Sequence, residues 1–416
     1  MRLRFVSPRT RTRTGPLPPV VLLISTLGIL IAPAAKAFAQ TQSQADLNAP
    51  LTMPGGPAGL LDVRPVWQPR PFRVQDKAYL VYELLLTNFQ TEPITLESLR
   101  ADGGPMGIFT FDSDAGLKSM IDLPPRYGVA DELSIEPLKT RLLLLWLPFA
   151  SDGVPRRLMH TIRYSVRAGS GSPGQRRPMT LVAEPMPVAY DAAPIVIGPP
   201  LRGNNWLAGN GPSETSAHRR AFMVANGNLY FPERFAIDFV QLGADGRTYK
   251  GDPKKNNDYH AYGSDILAVA DGRVVDVRGG IQDNVPGSAK GPITMATIAG
   301  NYVIEEIARG VYAFYAHIKP GTLKVYLGAP VKRGQVLGGL GNTGNSTEPH
   351  LHFHVIDRPS PLAGNGIPYA FDHFSLVPGH ANESAQEISF VFGTGQPQPV
   401  KDSLVLENAV IDFPQK

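Results

Sequence analysis

The segment Ser346–Asp357 reads STEPHLHFHVID, with histidines at 350, 352 and 354 and one apolar residue between each pair. Side chains of a β-strand alternate between its two faces, so this spacing places the three imidazoles on one face. Leu351, Phe353 and Val355 then point the other way, into a core. An exposed polar edge would also alternate, but three imidazoles in register are a costly decoration. The pattern reads as a strand that carries chemistry.

Working outward, the same strand grammar recurs. ERFAIDFVQL, DILAVADGRVVDVR, NYVIEEI and VYAFYAHI are apolar or alternating runs of strand length, separated by glycine-rich or polar loops such as GGLGNTGNSTEP and KGDPKKNNDYHAYG. Further upstream lie AYLVYELLLTNF, ITLESLR, LSIEPLKTRLLLLWLPF, LMHTIRYSVRA and MTLVAEPMPVA. The run Leu142–Leu147 could be a buried helix by composition, but its short length and flanking prolines favour a strand. GSGSPGQRRP, at 169–178, reads as a long hairpin loop. No long segment has helical period. The expected architecture is therefore mostly β. A β-sandwich-like domain spans 76–194, and the Gly- and Asn-rich stretch after Ile195 marks the boundary. An antiparallel β-sheet domain spans 195–376, and 377–416 form a C-terminal extension with short strands at EISFVFG and SLVLENAVIDF.

Residues 1–39 read as a secretory signal peptide. Five arginines precede an apolar run from Val20 to Ala32, and Ala37-Phe38-Ala39 offers a small-x-small cleavage site. That apolar run is too short to span a bilayer, so the mature protein is expected to be exported and not integral to a membrane. Residues 40–75, rich in Pro, Gln and Gly, read as a linker. Removing 1–39 takes away five Arg and one Lys, so the balance of 40 basic and 36 acidic residues becomes 34 against 36. No basic footprint for nucleic acid remains. The chain has no cysteine, so a transition-metal site must draw on His, Asp and Glu.

The histidines are unevenly spread. His160 is the only one before position 217, and a lone histidine in a strand reads as structural. The other eight lie between His218 and His380. Asp238, between Ile237 and Phe239, is a carboxylate inside an apolar strand and needs a partner, because an unpaired buried charge is very costly. A metal is one such partner; Arg234 or a backbone cap is another. His317 closes the strand VYAFYAHI. A His/Asp/His set with an open position suits catalytic zinc, which acidifies a water and polarises a carbonyl. Imidazoles nearby can move protons near neutral pH and stabilise negative charge on oxygen. The inventory suits amide hydrolysis without a cysteine or serine nucleophile.

In this order, AIDF, YGSDILAVADGRVV, FYAHI and VKRGQVLGGLGNTGNSTEPHLHFHV resemble the M23 zinc metallopeptidases, the LytM or lysostaphin-type peptidases, over residues 200–376. The resemblance implies an M23/LytM-type peptidase fold for the second domain. It also implies one Zn²⁺ per chain and endopeptidase action on the stem or cross-link peptides of cell-wall peptidoglycan in the periplasm or cell envelope. It makes Asp238 and His352 zinc ligands and His317 and His350 the two assisting histidines. His354 stands where the family commonly has Glu and supports the ligand beside it. The family's remaining ligand lies four residues before the aspartate, where this chain has Arg234, and a guanidinium stays protonated and cannot ligate zinc. His218, in SAHRRAF, is the preferred substitute, ahead of His260 in NDYHAYG.

Two other readings compete. Some members of the family have lost ligands and activate a cell-wall amidase as a binding partner; Arg234 keeps that reading open. A cupin or an α-type carbonic anhydrase also places His-x-His on a strand. A cupin wants a nearby Glu, and none follows until Glu383; an anhydrase wants a third His on a neighbouring strand, and His373 is poorly placed for it.

Overall fold

A computed structural model of the protein describes residues 60–112, 114–122, 133–167, 175–288, 293–381 and 389–415. The expected signal peptide, most of the expected linker and the tip of the 169–178 loop lie outside the described residues.

The long apolar runs are strands because they are buried on both faces. In the strand Lys77–Asn88, Leu80, Tyr82, Leu84 and Leu86 face one core. Val81 faces a second core, and Leu85 packs with a third cluster around Phe231. The neighbouring strand Thr140–Ala150 divides in the same way. Leu143, Leu145 and Leu147 enter the first core, Leu142 and Leu144 the cluster with Phe231, and Trp146 packs on the second core. Such a strand loses the polar half of its alternation, which explains the near-continuous LLLLWL.

These two strands pair in register, Lys77 with Ala150 through Thr87 with Thr140. They centre one sheet of a β-sandwich. The other sheet runs in the order Arg176–Val182, Arg157–Arg167, Ile94–Asp102, Ile108–Phe111. Short strands at Leu61–Pro65 and Phe72–Val74 join the first sheet on Lys77–Asn88, so part of the segment expected as linker is strand.

Against the outer face of the first sheet lies an 11-stranded sheet, built largely from the region expected as the second domain. Its central order is Gly203–Gly209, Ile237–Gln241, Leu351–Ile356, Val311–Ala316, Tyr302–Ala308, Gly272–Arg278, and all of these pairs are antiparallel. One pair elsewhere in the sheet, Val196–Ile197 with Ala370–Phe371, is parallel. Two findings depart from the sequence reading. The Gly- and Asn-rich boundary stretch contains the strand Gly203–Gly209, with Trp206 fully buried. Part of the C-terminal extension returns to the same sheet: Val410–Phe413 pairs with both Gly203–Gly209 and Ala370–Val377, and Gln398–Ser403 pairs with Ala370–Val377. The fold is mostly β, as expected. Among the described residues no helix is long and apolar enough to cross a membrane.

Candidate metal centre

The strand Leu351–Ile356 is buried on both faces. Leu351, Phe353 and Val355 enter the core as alternation predicts. The histidine face is covered rather than solvated: His350, His352 and His354 are 8%, 5% and 0% exposed. Register builds the site. Asp238 is the cross-strand partner of His352 on one side, and Ala316 is its partner on the other. His317 follows Ala316 and leaves the strand with φ of +64°, a left-handed conformation rare outside glycine.

Asp238 is the hub. Its Oδ1 lies 2.9 Å from His352 Nδ1 and 3.4 Å from His350 Nε2. Its Oδ2 lies 3.4 Å from His218 Nε2 and accepts a hydrogen bond from Asn210 Nδ2 at 2.8 Å. Burial alone would raise this carboxyl. The charges of His218 and His350, with hydrogen bonds from His350 and His352, hold it well below the usual carboxylate range.

The imidazoles are fixed by their second nitrogens. His317 Nδ1 donates to the Thr343 carbonyl at 2.6 Å, and His350 Nδ1 donates to the Glu348 carbonyl at 2.8 Å. Each ring therefore keeps Nε2 for other work. Their environments push them apart. Burial, then the neighbouring His350 and His352, hold His317 well below the ordinary histidine value. Burial opposes the charge on His350, but the Asp238 carboxylate outweighs it and raises the pKa. The turn GNTG makes the His317 contact possible. Gly344 has φ of +77°, and a Cβ there would lie 2.3 Å from the Gly300 nitrogen, so this turn next to Thr343 requires glycine.

His218, Asp238 and His352 each offer a ligand atom, and these atoms lie within 4.8 Å of one another. His218 comes from the short 3₁₀ turn His218–Arg220, and its ring meets that of His352 edge-on at 4.8 Å. His260 is not in this group; its ring packs against Gly243. His354 Nδ1 is 3.0 Å from His352 Nε2, and its ring stacks on Phe314. Arg234 lies in a buried ion pair with Glu83, at 2.6 Å. Two polar neighbours escaped the sequence reading: Asn210, and Glu233, whose Oε1 is 3.9 Å from His352 Nε2. Asn210 sits in the boundary stretch, and only its strand context gives it away.

The cluster floors a cleft of about 460 Å³, with Phe222, Met223, Ile298 and Leu362 among its apolar walls. Buried carboxylate, converging nitrogens and an open cleft form a donor set able to hold a divalent cation, with imidazoles left over to handle protons.

Comparison with known proteins matches one part of the chain to a family. The model of peptidase family M23 matches residues 254–363, which include His317, His350 and His352 but begin after His218 and Asp238. Over 64 residues the chain is 41% identical to peptidoglycan DD-endopeptidase ShyA of Vibrio cholerae, covering 15% of this chain and 14% of that one. Over 138 residues it is 28% identical to endolysin 2638A of Staphylococcus phage 2638A, covering 30% and 28%. The chain thus spans about a seventh and just over a quarter of the length of these curated relatives. Among solved structures, the catalytic domain of lysostaphin from Staphylococcus simulans is similar at 22% identity and a TM-score of 0.22, covering 39% of this chain and 88% of that one. The M23 protein EnpA from Enterococcus faecalis is similar at 22% identity and a TM-score of 0.20, covering 31% and 92%. The chain carries a peptidase family M23 domain, at residues 254–363.

Proposed function

We propose that His218, Asp238 and His352 hold one zinc ion, and that the chain is an exported endopeptidase cutting peptides of cell-wall peptidoglycan. The observation that carries this is the convergence of two imidazoles and one buried carboxylate, from three separate segments, beside two further tethered imidazoles. The donor set fits zinc in kind, two imidazoles and a carboxylate. The Asp238 oxygens lie 2.9 Å from His352 Nδ1 and 3.4 Å from His218 Nε2, and the three ligand atoms lie within 4.8 Å of one another, near enough to share one ion. His218 Nδ1 is buried and without a hydrogen-bond partner, so the ring is not held by a bond on that side.

Zinc held there would supply Lewis acidity toward a peptide carbonyl and an acidified water. The protein's own groups do the rest. His317, with Nδ1 committed to Thr343, is neutral and accepts a proton at Nε2. His350, with Nδ1 committed to Glu348, turns Nε2 toward oxygen that gains negative charge, or toward the departing amine. The apolar walls of the cleft exclude water from an extended peptide. The peptidoglycan substrate is supported by the Vibrio relative, whose name records that activity. The signal-peptide pattern read at 1–39 supports an extracytoplasmic setting.

The test is digestion of purified peptidoglycan and cross-linked muropeptides by the mature chain, with bound metal measured in parallel and His352→Ala as control. One zinc per chain and peptide products absent from the control are expected. Absence of both zinc and cleavage would sink the proposal. Zinc without cleavage would favour the degenerate reading, in which the chain binds and activates a cell-wall amidase.

A further inference from the structure

We propose that Glu83, a residue of the N-terminal sandwich, is a positioning residue for the metal centre, setting His218 and Asp238 through two buried arginines. The inference rests on the zinc reading above and names what holds that site together.

Glu83 lies on the face of Lys77–Asn88 turned toward the second domain and is 0% exposed. Its Oε1 accepts from Arg219 Nη1 and, at 2.8 Å, from Arg234 Nε; its Oε2 accepts from Arg234 Nη2 at 2.6 Å. Arg219 Nη2 also donates to the Tyr82 carbonyl at 2.8 Å, and Arg234 Nη1 to the Gly366 carbonyl at 2.7 Å. Both arginines are 1% exposed. Two buried guanidinium groups therefore share one carboxylate, with the Arg234 cation lying over the Trp67 ring at 4.7 Å.

A cluster of this composition is a poor way to gain stability. The desolvation of three ions often exceeds their attraction, and apolar residues of similar volume serve as well or better. Its placement points to specificity of geometry instead. Arg219 is the residue after His218, in a turn of three residues with no side-chain cap. Its neighbour Arg220 adds bonds to the Glu214 and Ser119 carbonyls. Arg234 lies four residues before Asp238, on the approach to that strand. One carboxylate thus ties down both segments that bring His218 and Asp238 together. Arg234, where the resemblance implies a ligand, instead completes the clamp on Glu83. On this inference the sandwich is a structural part of the active centre.

The experiment measures zinc affinity by competition with a chromophoric chelator, and the visible spectrum of the Co²⁺-loaded protein, on the full mature chain. Three forms are compared with the unaltered one: Glu83→Gln, Arg219→Lys, and the triple apolar replacement Glu83→Leu/Arg219→Leu/Arg234→Met. Circular dichroism and thermal melting report folding. Folded variants with zinc affinity weakened on the order of 10- to 100-fold, as for loss of outer partners of a metal site, and with shifted Co²⁺ bands, are expected. The triple replacement is decisive, because it removes the charges together and so can keep the fold. Unchanged affinity and spectrum in a folded variant would overturn the proposal. Failure of all three to fold would overturn it too, since the cluster would then be a requirement of the fold and not a device for placing His218. His218→Ala separates the levels: zinc retained there defeats the zinc reading, whereas zinc lost there but unchanged in the Glu83 forms defeats this inference alone.

Discussion

Two regions of the molecule bury histidines on β-strands, and they use them differently. In the sandwich, His160 is 1% exposed and stands alone. Its Nε2 meets the Tyr82 hydroxyl at 2.7 Å, joining the two sheets across the core, and burial pushes its pKa down to about 4. In the second domain, five histidines surround Asp238, and their rings are close enough to perturb one another. Burial is similar in both places. What differs is the company: one neutral hydroxyl satisfies a ring and ends its chemistry, whereas a shared carboxylate leaves ring nitrogens available and polarised. The difference teaches that a buried histidine becomes functional through convergence, not through depth.

Breaking the convergence should have the largest effect. Asp238→Ala removes the one group that His218, His350 and His352 all approach. Metal content is expected to fall from about one zinc per chain to none. Muropeptide cleavage should fall by at least ~10³-fold, beyond the loss of a single transition-state donor. Metal analysis and product quantification check both. An Asp238→Ala protein that keeps its zinc would show that the carboxylate is not the hub. The matching change in the other region, His160→Gln, should leave cleavage within about twofold, because nothing polarises that ring toward a substrate.

Much of this contrast is legible in the sequence. Period-two alternation is local, so the histidine strand and its core face can be read from seven residues. Asp238 stands out for the same reason, as a carboxylate in an apolar run. Glu83, in AYLVYELLLTN, carries the same signal and is easily passed over, because its partners lie 136 and 151 residues away. His218 is the harder case. It sits in a 3₁₀ turn with no periodicity, and only the fold of the intervening chain brings it to Asp238. The strands at Leu61–Pro65, Phe72–Val74 and Gly203–Gly209 were hidden by prolines, glycines and asparagines that read as linker. Short strands take their stability from neighbours, not from propensity.

The solitary histidine gives a smaller effect with a definite sign. Its folded-state pKa lies below the unfolded value of 6.5. As pH falls below 6.5 the unfolded chain takes up a proton that the folded chain refuses, so stability is lost between pH 6.5 and about 4. At pH 4 the loss from this group is about 3 kcal/mol. The advantage of the native protein over His160→Gln, measured by urea unfolding, should therefore shrink by about that amount between pH 7.5 and pH 4. A constant difference would mean that His160 does not enter the fold as the neutral ring.

His354 tests where the boundary between the two kinds of histidine falls. It belongs to the cluster by position, yet it is fully buried, stacks on Phe314, and its Nε2 has no hydrogen-bond partner. Burial, then His352 and His218, hold it well below the ordinary histidine value, so it is a neutral ring like His160. Among the described residues its hydrogen bond is with His352. If His352 presents Nδ1 toward Asp238 and a metal, its Nε2–H is the donor to His354 Nδ1. In the proposed zinc site that bond would fix the tautomer and orientation of the His352 ring, a role worth roughly 10- to 100-fold in metal affinity at such sites. His354→Phe keeps the aromatic stack and deletes the acceptor. Zinc affinity should drop within that range while the melting curve of the chelator-treated protein stays close to that of the unaltered chain. Equal zinc affinity in the two would place His354 with His160, as a ring that fills space. A drop would show that convergence reaches one residue beyond the ligands, through a single hydrogen bond.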